Sequence, residues 1–374
     1  MSRIRFKFFK SIAGLSLALC MFHGANTFSF AAETDNSQTA KLPLEGCFET
    51  HQIWSDGHHN AFTGAAFWKG KTYVVFRSAE HHVSFDGRVK ILASADGVNF
   101  TDTATIALPG KDLRDPKVIN AGRTLHLYVG AVDEKDTKRL ETDAKLFTSK
   151  DGTHWKEQKV TGLVPGSWLW FVHYDGKTFY GSAYHHNDLT SQASAILYKS
   201  KNGKDWEPFF NIPVIAGNEV ALDTDANGAL YALVRCEIAP CHPYLLTIPD
   251  LKKPGLFELR QLPFTLQGPF LKRVDGGCIV LGRRWEDKGW QNPLGAPNPQ
   301  RHIEMIWLGD DRSMKQLCTL ESGGDCSYTG WAAQPDGSVL ISYYSGHGHQ
   351  YPQANIYVAK FPKGFDQGPW RAEK

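Results

Sequence analysis

One pattern recurs through this sequence at a nearly fixed interval. Runs of alternating apolar and polar residues come in sets of four, about every 50 residues, which is the size of a four-stranded propeller blade. Gly64 to Leu108 carries GAAFW, TYVVFR, RVKILAS and NFTDTATIAL. Asp115 to Val160 carries PKVIN, TLHLYVG, AKLFTS and HWKEQKV, and Trp168 to Ile212 carries WFVHY, TFYGSAY, AILYKS and DWEPFF. A fourth set starts at Asn218, and a fifth spans Gly268 to Leu320. The sixth starts at Tyr328 and yields only WAAQ, VLISYY and IYVAKF, while a spare strand, ETHQIWS, stands at Glu49 to Ser55. Pairing the spare strand with the last blade removes an exposed edge. The expected fold is therefore all-β: a six-bladed β-propeller of four-stranded antiparallel blades, closed by the N-terminal strand. Equal spacing and the spare strand argue against a pair of β-sandwiches.

No long 3.6-residue period appears, and the 42% hydrophobic content with 11 Trp suffices for a large core. A net charge of +2 with scattered Lys and Arg gives no basis for binding nucleic acid. Arg3, Arg5, Lys7 and Lys10 precede an apolar run from Ile12 to Phe22, followed by Ser29, Ala31 and Ala32. This reads as a signal peptide over residues 1–32, too short in its apolar part for a stable membrane span once export is complete. Residues 33–45 are expected to be flexible, and 46–374 to form the propeller, a secreted or periplasmic monomer. A lipoprotein anchor at Cys20 is the weaker reading, because Leu19 is bulky where such signals want a small residue. In an oxidising compartment the other six cysteines invite disulfides, with Cys236–Cys241 and Cys318–Cys326 the closest pairs and Cys47–Cys278 left over. Neither the adjacent histidine pairs nor the cysteines have zinc-site spacing, and no metal or organic cofactor is implied.

In the stretch Asn218 to Glu237, a DANG turn folds two strands together and places Glu219 near Arg235. An ion pair at a sheet edge is commonly only that, but other blades hold charged or polar groups at the same phase. Starts of first strands supply His59 and Asn60, Arg114 and Asp115, Trp168 and Trp170, Glu219, Gly268 and Tyr328. Ends of second strands supply Arg77, Asp133, Tyr184 and His185, Arg235, Arg283, and Tyr343 and Tyr344. The loop after Arg77 adds Glu80, His81, His82 and Asp86. In a propeller these phases face one end of the channel.

Three blades share a turn: Ser94-x-Asp96-Gly97-x-x-Phe100, Ser149-x-Asp151-Gly152-x-x-Trp155 and Ser200-x-Asn202-Gly203-x-x-Trp206. Asp or Asn can bond turn amides, Gly takes positive φ, and the aromatic residue packs beneath. The turn resembles the Asp-box of sialidase-like propellers. HNAFTGAAF, VVFRSAEHHVSFDGRVKIL, DLRDPKV, SWLWFVHYDGKTFYG, NEVALD, LYALVR, GPFLKRVDGGCIVLGR and ESGGDCSYTGW resemble, in order, segments of exported bacterial proteins of the sialidase superfamily.

The resemblance implies an exo-glycoside hydrolase that cuts a terminal, acidic sugar from a glycan or polysaccharide. Tyr328 then corresponds to the nucleophile, Glu219 to its base, and Arg235 and Arg283 to two of three carboxylate-gripping arginines. A phenol with a pKa near 10 needs such a carboxylate to take its proton, and arginine forks suit a carboxylate. The acid/base stays open between Asp86, Asp115, His82 and Glu80. Where the family has a blade-one arginine this chain has His59 and Asn60, with Arg77 a substitute at another phase. His59, Asn60, His82, Trp170, Tyr184 and Tyr344 complete the expected binding surface, with Trp168 and Trp170 either stacking on sugar or packed in the core. Two other readings fit the same residues: a lyase in which His and Tyr take a proton beside a uronate, and a propeller that binds glycan without turnover.

Overall fold

The computed structural model describes residues 42–135, 142–187, 192–285 and 301–365. The signal-peptide segment, Cys20 and most of residues 33–45 lie outside the described residues. Among the described residues every strand belongs to one of six antiparallel four-stranded sheets, arranged as a six-bladed propeller. The innermost strands, in blade order, are His59–Trp68, Lys111–Asn120, Trp168–Tyr174, Gly217–Thr224, Gln267–Val274 and Cys326–Ala333. Consecutive innermost strands pack against one another around the ring, and the first also packs on the last.

Burial follows from that layering. The innermost strand of blade one, HNAFTGAAFW, is buried at nine of its ten positions, because neighbouring blades cover both faces. The outermost strand Thr101–Ile106 has no fully buried residue. Apolar slabs between adjacent sheets form the core, the largest running through Trp170, Leu233, Leu281, Ile341 and Phe361.

The three Ser-x-Asp/Asn-Gly turns have one geometry. Asp96 Oδ1 accepts from the amides of Val98 and Asn99 at 2.9 and 2.8 Å, and Ser94 Oγ accepts from Gly97 N at 2.9 Å. Asp151 and Asn202 repeat the arrangement. Each turn glycine abuts the preceding blade: Gly97 faces Leu340, Gly152 faces Tyr73 and Gly203 faces Tyr128. These turns are struts between blades.

Blade six is completed as the sequence predicts. Glu49–Trp54 runs antiparallel to Asn355–Phe361, with Glu49 opposite Lys360. The packed chain begins earlier than residue 46. Leu44 is buried in the core and its amide donates to Leu317 O at 2.9 Å.

The expected disulfides are absent among the described residues, where none of the six cysteines is bonded to another. Cys236 Sγ donates to Ile215 O and Cys241 Sγ to Glu237 O, so the two thiols turn to different carbonyls. Cys318 lies on the outermost strand of blade five and Cys326 on the innermost of blade six. Cys47 Sγ turns to Pro43 O, whereas Cys278 is buried on blade five near Arg273. Burial pushes the Cys278 and Cys326 thiols up to about 12, which keeps them protonated and unreactive.

Removing residues 42–55 should lower the melting temperature and cause concentration-dependent aggregation, because it bares the edge of Asn355–Phe361 and removes Leu44 from the core. Thermal denaturation with light scattering reads both effects. An unchanged melt and a monodisperse sample would show that ring closure does not depend on this strand.

Candidate functional site

All six innermost strands share an irregularity at the same level. Pairing with the second strand slips between Ala61 and Gly64, Arg114 and Lys117, Leu169 and Phe171, Asn218 and Val220, Gln267 and Phe270, and Ser327 and Gly330. Each slip is a β-bulge, which re-aims a side chain out of the alternating pattern. The bulges begin at Phe62, Asp115, Trp170, Glu219, Gly268 and Tyr328. Four of these take positive φ: Phe62 at 61°, Asp115 at 50°, Gly268 at 55° and Tyr328 at 46°.

The bulged residues meet on the axis. Tyr328 Oη donates to Glu219 Oε1 at 2.6 Å, across 109 positions of sequence. The Tyr328 ring meets Phe62 edge to face at 4.9 Å and Trp170 at 5.8 Å. Gly268 makes room: a Cβ there would collide with Ser327 Oγ and press on the Tyr328 ring. Lys117 Nζ sits 5.6 Å from the Tyr328 ring and 5.2 Å from Trp170.

A pocket opens above this floor, with wall residues from every blade: His82, Arg114 and Asp115, Trp168 and Tyr184, Glu219 and Arg235, Arg283 and Arg301, and Asp325, Tyr328, His349, Tyr351 and Gln353. Burial, then the negative charges of Glu219 and Asp115, hold the Tyr328 phenol well above its ordinary value. Burial also raises the Asp115 carboxyl, with Glu219 adding to it against the pull of Arg114 and Lys117. Burial lowers Lys117 to about 8. Asp115 Oδ1 and Glu219 Oε2 are buried without a hydrogen bond.

Arg235 bonds Glu219 Oε1 through Nη1 and Glu237 Oε1 through Nη2, the latter at 2.8 Å. Arg283 Nη1 donates to Cys326 O at 3.2 Å and lies 3.5 Å from Asp325 Oδ1. Its Nε, like that of Arg235, is buried without a partner. Burial and the neighbouring cation of Arg283 lower Arg301. Two guanidinium groups thus crowd one wall. Trp168 and Tyr184 stack at 6.0 Å and 9° to form another.

Several expected site residues lie elsewhere. Arg77 is fully buried, and its Nε bonds Asp112 Oδ1 at 2.7 Å. Its Nη1 holds His81 O at 3.0 Å and its Nη2 faces Ser84 O at 3.3 Å, so it anchors a loop and offers nothing to the pocket. Asp86 clasps that loop from within, accepting from Glu80 N at 3.0 Å and Ser84 Oγ at 2.5 Å. Asn60 spends its amide on Asp56 Oδ1, His58 O and Ala354 O. Trp170 is buried beneath Tyr328, as a core residue of the floor. His59 and Tyr344 form a layer behind the wall and both bond Asp325. Tyr328, Glu219, Asp115, His82, Tyr184, Arg235 and Arg283 do gather in the pocket. Of the adjacent histidine pairs, His82 alone contributes to its wall among the described side chains.

Asp325 and Arg301 complete the site beyond the predicted set, and Arg114, expected at the axis but given no role, joins them. Asp325 is its hub: Oδ2 meets His82 Nδ1 at 2.5 Å and His59 Nε2 at 2.9 Å, while Oδ1 accepts from Tyr344 Oη at 2.8 Å. Burial pulls this carboxyl up, but His82 and His59 hold it well below the usual range. These donor atoms lie within 4.8 Å of one another. The ligating atoms of His59, His82 and Asp325 contact one another, and Arg283 Nη1 lies 3.5 Å from the same carboxylate. The only sequence clue to Asp325 was its place three residues before Tyr328, in a Gly-Gly turn.

No family model matches the chain, and no curated protein does. Among solved structures it is similar to a protein of unknown function from Dyadobacter fermentans DSM 18053, with TM-score 0.67 and 15% identity over 83% of this chain and 97% of that one. Phage phi92 endosialidase follows with TM-score 0.64 and 10% identity over 85% and 69%. Trypanosoma rangeli sialidase, in complex with the inhibitor DANA, has TM-score 0.59 and 10% identity over 84% and 56%. This chain thus spans about half the length of the trypanosomal protein. At such identities the likeness is one of fold.

Gly268→Ala should destabilise the protein by more than the ~1–2 kcal/mol of a left-handed alanine alone, because the added methyl also meets Ser327 and Tyr328. Gly57→Ala, at φ +84° with nothing within 4 Å, is the control for backbone strain. Chemical denaturation of both variants gives the comparison. Equal losses would show that the floor has slack around Tyr328.

Proposed function

We propose that the protein is an exported glycoside hydrolase that removes a terminal, acidic sugar from a glycan. The observation that carries this reading is the 2.6 Å bond from Tyr328 Oη to Glu219 Oε1, at the floor of a pocket whose wall holds Arg235, Arg283 and Arg301. A tyrosine is a poor nucleophile with its proton in place, and burial here makes a free phenolate costlier still. Glu219 removes that obstacle by accepting the proton as the oxygen attacks.

The chemistry runs in two steps. Tyr328 Oη attacks the anomeric carbon, its proton passes to Glu219 Oε1, and the bond from that carbon to the departing oxygen breaks. The departing oxygen takes a proton from an acid across the pocket. Water then attacks the same carbon, the bond to Oη breaks, and the phenol recovers its proton from Glu219. The acid regains its proton from that water. The neutral phenol also approaches an anionic sugar without charge repulsion.

Arg283 and Arg301 favour an acidic substrate, since an anion between two crowded guanidiniums relieves their repulsion and can accept forked hydrogen bonds. Arg235 is engaged by Glu219 and Glu237, so its first duty is to orient the base. Trp168 and Tyr184 offer a flat apolar face for a sugar ring.

A panel of aryl glycosides, both sialosides and glucuronides with neutral sugars for comparison, tests the reading. Acidic glycosides should turn over, and Tyr328→Phe and Glu219→Gln should each cut kcat by about 10²–10⁴ with folding unchanged. Near-wild-type turnover by Tyr328→Phe overturns the nucleophile assignment, and an unsaturated product absorbing in the near ultraviolet identifies a lyase instead. Arg283→Ala and Arg301→Ala should raise KM for acidic glycosides roughly 10–100-fold, the loss expected for hydrogen bonds to a charged group. KM for neutral glycosides should hardly move.

A further inference from the structure

The proposed reaction needs a group that first gives a proton to the departing oxygen and then takes one from water. Resting on that reading, we infer that His82 is this group and that Asp325 positions it. Asp86 and Glu80 are absent from the wall, and Asp86 is turned into its own loop. Asp115, on the blade-two bulge, is only 6% exposed and has Arg114, Lys117, Glu219 and His82 as charged neighbours, so it is less open to an entering group. His349 directs its Nε2 to the Asn355 amide at 2.8 Å.

His82 stands on the wall, 27% exposed, with Nδ1 2.5 Å from Asp325 Oδ2. Asp325 has no proton to give in this network: it accepts from Tyr344 Oη and stands beside two histidines and Arg283, which keep it ionised. Nδ1 of His82 therefore carries the proton of that bond. The other ring nitrogen, Nε2, lies across the imidazole and is left for chemistry. A carboxylate behind Nδ1 fixes this tautomer and stabilises the imidazolium.

The backbone of His82 is held from two blades. Arg114 Nη1 donates to His82 O at 2.8 Å, and Arg77 Nη1 to His81 O at 3.0 Å. Both arginines are themselves fixed on the buried Asp112 carboxylate. The ring packs edge to face on Phe62 at 5.2 Å and near His59 at 5.1 Å. Such a second layer keeps a proton-transfer group within reach of its target. In the first step imidazolium Nε2–H protonates the glycosidic oxygen as its bond to the anomeric carbon breaks. In the second, neutral Nε2 takes a proton from the attacking water, and imidazolium is restored.

Two measurements test the assignment. Nitrogen-15 NMR of histidine-labelled wild-type protein should show neutral His82 as the Nδ1–H tautomer, and Asp325→Asn should shift it toward Nε2–H. A wild-type protein with His82 as Nε2–H overturns the proposal without any variant. Kinetically, His82→Gln should cut kcat/KM about 10²–10⁴-fold for acidic glycosides with alkyl or saccharide leaving groups, and less than about tenfold for nitrophenyl ones, which need no protonation. Asp325→Asn should follow the same leaving-group order. A loss independent of leaving group, or no loss, overturns the role, as does activity abolished by chelator and restored by zinc. Wild-type protein inert toward every acidic glycoside defeats the hydrolase reading itself, and the role of His82 in it. Active wild-type protein with indifferent His82→Gln defeats only the present inference.

Discussion

The site depends on one repeated departure from regular strand geometry. Every innermost strand holds extra residues against its neighbour at the same level, and the bulge turns Phe62, Asp115, Trp170, Glu219, Gly268 and Tyr328 toward the axis. In a plain alternating strand, side chains point into one of the two slabs between blades, and none points along the axis. Non-glycine residues with positive φ cost about 1–2 kcal/mol each. Phe62, Asp115 and Tyr328 all bear that cost. The surrounding ladders sustain it, because each bulge is flanked by paired residues on both sides. Gly268 is the complement: its missing side chain leaves the space that Tyr328 fills.

A second constraint lies between blades one and two. Asp112 is fully buried and bonded by both Arg77 and Arg114. A buried ion triplet of this kind contributes little net stability, since desolvation offsets most of its attraction. Its effect is positional. Each guanidinium also donates to a carbonyl of the loop that bears His82. Gly87 lets the chain pass this close, since a side chain there would occupy the space of Asp112 and Arg77. The fold thus uses Arg77 and Arg114 to build a wall, while Arg235, Arg283 and Arg301 line the pocket.

The sequence made the architecture legible because period and alternation are local properties. Blade count, strand order and closure by Glu49–Trp54 all followed from them. The phase of the first strands also led to five of the six bulges, because charged, aromatic or glycine residues interrupt the apolar alternation there. Blade one misled: His59 and Asn60 were the polar residues in view, while the axial position belongs to Phe62, an ordinary core residue by type. Arg77 misled for the opposite reason. Its charge looked like a ligand for a sugar, and only the fold brings Asp112, 35 positions away, to neutralise it. Asp325 had no period to announce it, since it precedes its strand in a turn. The cysteine pairs were inferred from parity alone, whereas Cys47, Cys236 and Cys241 each turn to a backbone carbonyl and Cys278, Cys318 and Cys326 are buried on strands.

The Tyr328–Glu219 and Asp325–His82 pairs share one scaffold. Glu219 reaches from blade four and His82 from the loop of blade one, but their partners Tyr328 and Asp325 are separated by only two residues at the start of blade six. Ser327 ties that segment to blade five by donating to Gln267 O at 3.0 Å, and Thr63 ties it to blade one by donating to Tyr328 O at 2.7 Å. Both partners are thus fixed by the blade at which the ring closes. That blade is four-stranded only because Glu49–Trp54 returns to it from the other end of the chain. The spacing of the two pairs is then set by ring closure, not by any single loop. A pocket assembled in this way gains its geometry only when the last blade is complete, so the propeller and its site form together.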